Sequence, residues 1–188
     1  MKDQSQSVCI QGSRVCLPLA SLKLYAISIV LATGNVLLIL AFHLISIGGK
    51  PAGKIFLPLY FFTLFGSYQY GTATGIITAA STIALSRLIT GMPADAALPF
   101  ISVKLFLIVL LTHLVTKRKK EPMSQKVSLI VLGYQSIGNA IGFFLTRDFS
   151  SSDLPHAWPG LLAQIIGVCA LLKIFHETEK YWRDYRKN

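Results

Sequence analysis

Apolar residues in this chain gather into long runs instead of alternating along it. From about Leu22 onward, stretches of Leu, Ile, Val, Ala and Phe recur, each closed by a short polar or Gly/Pro-rich break. Runs near twenty residues match the thickness of a bilayer's hydrocarbon core. The pattern predicts spans at about 22–47, 55–68, 71–89, 98–116, 127–146 and 159–175. The expected fold is all-α: a polytopic membrane protein with six transmembrane helices in a compact bundle. In this division 1–21 is a cytoplasmic N-terminal segment, 22–178 the six-helix domain and 179–188 a basic cytoplasmic tail.

Within the pattern, the stretch 53–99 stands apart. It is apolar and small, yet broken by proline, by glycine and by a lone arginine. Pro58 falls in the first turn of the second span, where its missing N–H costs nothing. The stretch 66–71 reads as a tight connection to the third span. Gly71, Gly75 and Ala79 then share one helix face, a small-xxx-small stripe that lets backbones approach closely. Ser28 and Ala32 repeat the spacing in the first span. The third span ends on Arg87 and a Thr90-Gly91-Met92-Pro93 turn, as a cation beside a rigid corner.

Composition fixes the class. The 188 residues are 53% hydrophobic and only 14% charged, against about a quarter charged in soluble domains. The formal net charge of +10 would suit nucleic acid, but its placement does not. Lys117-Arg118-Lys119-Lys120 lies between two apolar runs, and Lys180, Arg183, Arg186 and Lys187 follow the last. Basic clusters beside spans set topology and attract anionic lipid. With six spans, 13 of the 18 lysines and arginines fall on the side of the two termini. That side is expected to be cytoplasmic, with the loops after spans one, three and five facing outward.

Cysteines and histidines add little. Cys9, Cys16 and Cys169 have no metal-ligand spacing and read as free thiols. The N-terminal segment lacks the small-residue cleavage site of a signal peptide. His113 and His176 fall toward the cytoplasmic end and His43 toward the other, so no bis-histidine cofactor site can form. No cofactor and no metal are expected. There is no Gly-x-Ser-x-Gly, no His-Glu-x-x-His, no Walker lysine loop and no carboxylate pair within a span. With 8 acidic residues in all, an enzyme is not expected.

Candidate binding residues are the polar side chains inside spans. Lys104 sits about two turns into the fourth span, within Phe100-Ile-Ser-Val-Lys-Leu-Phe. A lysine there costs about 2.5–3.5 kcal/mol on insertion scales, so it faces a cavity or partner, or snorkels to the headgroups. Arg87 lies nearer the interface; together they could floor a cationic pocket. Gln135 and Asn139 lie one turn apart on the fifth span and Gln164 on the sixth, where amides serve as interhelical glue or as ligand contacts. Gly138 and Gly142 beside Asn139 thin the helix locally. Tyr60, Tyr68, Tyr70, Tyr134, Trp158 and Trp182 suit interfacial belts; Trp158 could also close over an outward pocket.

The run Gly53-Lys-Ile-Phe-Leu-Pro-Leu-Tyr60, the glycine-rich third span and Leu88-Ile-Thr-Gly-Met-Pro93 resemble the substrate-binding S components of energy-coupling factor (ECF) vitamin transporters. The likeness covers about 49–120. It implies a small six-helix protein in the plasma membrane of a prokaryote that binds a vitamin or related micronutrient at its outer side. It further implies partners: a transmembrane coupling subunit and two cytoplasmic ATPases. The Ala-x-x-x-Ala contact for the coupling subunit corresponds here to Ser28-Ile-Val-Leu-Ala32. Such proteins tend to carry glutamate near Lys104 and histidine at Tyr60, so this sequence departs from them at both positions and their substrate does not carry over. The substrate-binding candidates are Lys104, Arg87, Asn139, Gln164, Trp158 and Tyr60. The alternative is a non-transport scaffold or assembly subunit acting through its small-residue helix faces.

Overall fold

The computed structural model describes residues 21–44, 46–47, 50–51, 58–91, 97–117, 121–146 and 154–185. Six α-helices carry the architecture: α1 (Leu22–His43), α2 (Phe61–Tyr70), α3 (Thr72–Thr90), α4 (Leu98–Thr116), α5 (Met123–Thr146) and α6 (Leu154–Tyr185). A 3-10 turn, Pro58–Tyr60, leads into α2. A two-residue antiparallel ladder, β1 (Ser46–Ile47) with β2 (Lys50–Pro51), follows α1.

Among the described residues five helices are long and apolar enough to cross a membrane, with candidate spans Leu22–Phe42, Thr72–Thr90, Leu98–Thr116, Met123–Phe144 and Trp158–Thr178. They mark a membrane protein. The side chains agree, because large apolar residues line the outside and polar ones are drawn in among the core. Leu22, Leu44, Leu88 and Phe144 are each at least 80% exposed, while Asn35, Thr63, Gln135 and Gln164 are buried. Water would favour the reverse; hydrocarbon favours this. Ser28, Ser67, Thr112 and Thr116 bond back into their own helices, as Ser28 Oγ does to the Leu24 carbonyl at 2.8 Å and Thr112 Oγ1 to the Ile108 carbonyl at 2.7 Å. Back-bonding satisfies a hydroxyl where no water can reach it.

The second span is different. Helix α2 has ten residues, about 15 Å, half of what a hydrocarbon core requires. It is the central element, packed by α1, α3, α4 and α6, and six of its residues are buried. The expected start of this span at 55 lies outside the described residues. Its first turn sits at mid-depth: Thr63 meets Asn35 of α1 and, through it, Thr82 of α3. The sequence pattern counted this stretch as a span because it is rich in apolar residues, as burial inside the protein also demands.

The connection expected over 66–71 is a single residue, Gly71, whose φ of 95° side chains rarely adopt. Gly66 instead lies within α2, where an added Cβ would stand 2.8 Å from Leu31 Cδ1. Gly75 lies against Ser67, whose Oγ occupies the space a Cβ would need. The Gly71/Gly75/Ala79 stripe is therefore the seam of an α2–α3 hairpin. Gly91, at φ 67°, closes α3 as a left-handed cap, its N–H donating to the Arg87 carbonyl at 3.0 Å. The turn after it, 92–96, lies outside the described residues, as do Cys9 and Cys16. At the other end of the chain, α6 continues through 178 to Tyr185, so the basic tail begins as helix.

Candidate functional site

Lys104 is the seventh residue of α4. It is half-buried, and α1–α5 contain no Asp or Glu. Its stem lies in the α4–α5 seam, across Gly138: Cγ is 2.7 Å and Cε 3.0 Å from where a Cβ on that glycine would stand. The same seam places Leu111 of α4 over Gly133 and Phe100 over Gly142. Three glycines on α5 thus receive three α4 side chains, and the middle one is a cation. From there Nζ donates to Gln135 Oε1 at a long 3.5 Å.

Gln135 is 2% exposed. Its carbonyl oxygen takes the lysine, and its Nε2 has no hydrogen-bond partner. Asn139, one turn further on the same face, buries an Nδ2 that also lacks a partner. Buried amide donors are costly to leave unmet, on the order of 1–3 kcal/mol each, and the low dielectric between helices offers no water to relieve them. Two such donors lie beside the lysine in the α4–α5 seam.

On the adjoining face of α5, Tyr134 is fully buried. Its hydroxyl donates to Gln164 Oε1 of α6 at 2.6 Å, and its ring meets that of Tyr60 at a centroid distance of 5.4 Å, tilted by 52°. Tilted pairs of this kind are favourable for aromatic rings. The interfacial-belt expectation therefore fails for Tyr60 and Tyr134, which both lie in the core. Their polar ends are tolerable there because partners meet them.

Helix α2 begins beside this cluster, and a residue that sequence reasoning missed holds it there. Asn35 of α1 accepts from the backbone N–H of Phe62 at 3.0 Å and donates to Thr63 Oγ1 at 3.2 Å and to Thr82 Oγ1 at 3.1 Å. The first N–H groups of a helix have no partner within it, and at mid-depth they have no water either. A buried asparagine supplies the acceptor, and the helix start it caps carries Tyr60. Asn35 is the lone amide in an apolar first span, a signal of the same kind that drew attention to Gln135 and Asn139.

The structure thus brings Lys104, Asn139, Gln164 and Tyr60 into one region joined through α5, with Gln135 and Tyr134 completing it. It does not bring in the other two candidates. Arg87 is exposed in the last turn of α3, where a cation complements the helix dipole. Trp158 is 61% exposed near the start of α6. Ser28 and Ala32 are both fully buried, turned into the bundle instead of toward a partner's surface. Half-buried His113 pairs with Thr72 Oγ1 at 3.3 Å at the far end of the helices from Lys104. Among the described residues no three His, Cys, Asp or Glu side chains gather in a way that could hold a metal ion.

Comparison of the chain with protein-family models, with curated proteins and with solved structures gives no match.

Proposed function

We propose that the protein is a membrane substrate-binding subunit of the ECF type, an S component that captures a small anionic micronutrient at the outer face. Uptake is then driven by a coupling subunit and two cytoplasmic ATPases. The observation that carries this reading is the niche of Lys104, Gln135 and Asn139. A bundle built only to scaffold other proteins gains nothing from burying two unmatched amide donors beside a lysine, whereas a ligand-binding bundle fills them on demand. The motif resemblance over 49–120 supports the same reading, as does the central short helix α2, whose start lies beside the cluster.

In this proposal six segments form the membrane domain, with α2 and the residues before it as the second, and the excess of basic residues on the side of the termini sets both ends in the cytoplasm of a prokaryotic cell. The coupling subunit docks on the lipid-facing side of α1, since Ser28 and Ala32 are spent on internal packing. The test is recovery of the tagged chain from its native membrane under mild detergent. A coupling subunit and an ATPase pair in the eluate are expected. Their absence, with the chain intact and folded, sinks the assignment.

A further inference from the structure

We infer that the α2–α3 seam holds a buried water molecule that bridges the hydroxyls of Thr74 and Thr78 beside Gly66, with Gln69 Nε2 as a further donor. This site lies in another part of the bundle from the α4–α5 niche and does not depend on what the protein binds there.

Elsewhere in the bundle buried hydroxyls find partners. Ser28, Ser67, Thr112 and Thr116 bond back to a carbonyl four residues earlier in their own helices, and Thr63 and Thr82 each accept from Asn35. Thr74 and Thr78 break that pattern. Both are fully buried, and neither Oγ1 has a hydrogen-bond partner. Gln69, 2% exposed, buries an Nε2 that also lacks one.

Local geometry explains why the usual remedy fails here. Thr74 is the third residue of α3, so the carbonyl four residues back belongs to α2, beyond the Gly71 turn. Back-bonding within its own helix is closed to it. Thr78 turns its hydroxyl toward α2: Oγ1 stands 3.7 Å from where a Cβ on Gly66 would be, and Thr74 Cγ2 stands equally far from that point. Both threonines thus border the bare backbone of one glycine. Gln69 follows Gly66 by three residues, one turn along the same face of α2. Between the helices Gly71 gives α3 no side-chain cap, so the first N–H groups of that helix gain no acceptor from it.

Chemistry and size name the occupant. Side chains at i and i+4 have Cβ atoms about 5–6 Å apart, and one water oxygen about 2.8 Å from each hydroxyl spans that interval. A hydroxyl donates and accepts, whereas an amide nitrogen only donates. Water, with two protons and two lone pairs, answers both. Thr74, Thr78 and Gln69 are each at most 2% exposed, which closes the seam to a larger ligand. Buried waters make about three hydrogen bonds to polar groups that the fold leaves over, and three such groups meet here.

Magic-angle NMR of the full chain in nanodiscs tests the site, with threonine methyl groups labelled in a deuterated background and magnetisation started on water. The methyls of Thr82 and Thr112, buried and bonded within the protein, serve as dry references. Water magnetisation should reach the Thr74 and Thr78 methyls at least threefold faster than the references. Transfer at the reference rate overturns the inference. The near-isosteric Thr78→Val gives a second reading whose sign differs between a wet and a dry seam. A buried hydroxyl with no partner at all is relieved by the change, so the unfolding midpoint holds or rises; a hydroxyl bonded to water loses that bond. We expect a fall of about 2–4 °C, as for one lost hydrogen bond in a chain of this size. Adding Thr74→Val should lower the midpoint by less than its own single effect, because the two hydroxyls share one water. A midpoint that holds or rises with Thr78→Val overturns the inference. Costs that simply add would place the hydroxyls on separate partners and overturn it too. Where a variant fails to fold, the spectrum of the unaltered chain decides.

Discussion

The stem of Lys104 rests on the bare backbone of Gly138, so that a single methyl group at that glycine would stand 2.7 Å from the lysine Cγ. Gly138→Ala must therefore lift the lysine out of the seam or part α4 from α5. We expect the variant to lose ligand affinity at least tenfold and to cost about 1–3 kcal/mol of stability, the range for overpacked interiors. Gly142→Ala is the control. Its added Cβ would meet Phe100 at 3.7 Å, an ordinary contact, and its effect on affinity should be within twofold. Titration and unfolding of both variants in the same micelles decide the matter.

Asn35 holds three groups from two other elements. Asn35→Ala leaves the Phe62 N–H without its acceptor at the start of a buried helix, and should cost about 1–3 kcal/mol. Thr82→Val removes one acceptor with little change of shape, and should cost under about 1 kcal/mol, as single interhelical bonds in membranes do. Reversible unfolding in mixed micelles measures both. Equal costs for the two variants would show that Asn35 does no more than any other interhelical contact.

The α2–α3 seam gives a pairwise test. Gly75→Ala places a methyl group where Ser67 Oγ lies, so the variant should lower the unfolding midpoint by several degrees. Ser67→Gly removes the obstructing side chain. The double variant should recover part of the loss, with a coupling of about 0.5–3 kcal/mol as for residues in contact. Additive effects would mean that the two helices are not held in this register.

Orientation is open to chemical mapping. In a background lacking the three native cysteines, Ala96→Cys should react with a membrane-impermeant maleimide in intact cells. Asn188→Cys should react only after lysis. The reverse pattern would invert the topology inferred from the basic residues and put the niche on the cytoplasmic half.

What the sequence revealed follows from which forces act along a chain and which across it. Long apolar runs are local, and α1, α3, α4 and α5 emerge within a few residues of where hydropathy places them, while α6 starts five residues before and ends ten beyond its expected 159–175. The second span misled because hydropathy cannot separate lipid from protein as surroundings. Phe61–Tyr70 is apolar for the latter reason, and only its ten-residue length in three dimensions tells the two apart. Lys104, Asn139 and Gln164 were visible as polar residues in apolar runs. Their pairings were not, since hydrogen bonds between α4, α5 and α6 depend on rotations that no spacing encodes. Arg87 and Lys104 looked alike in sequence, each a cation within a turn or two of a span's end. The three α5 glycines separate them, by giving only Lys104 a seam to lie in. Ser28 and Ala32 read equally well as a partner face or an internal one, because small residues serve any close approach; their full burial selects the internal use.

Helix α6 is 32 residues long, about 48 Å at 1.5 Å per residue, well beyond the thickness of a hydrocarbon core. Gln164, which receives the Tyr134 hydroxyl, stands on this rod, and some 32 Å separates it from the far end at Tyr185. Each degree of tilt about Gln164 swings that end by about half an ångström. The helix works as a pointer, so a small repacking around Tyr134 on one side of the bundle is displayed, enlarged, near the exposed Tyr181.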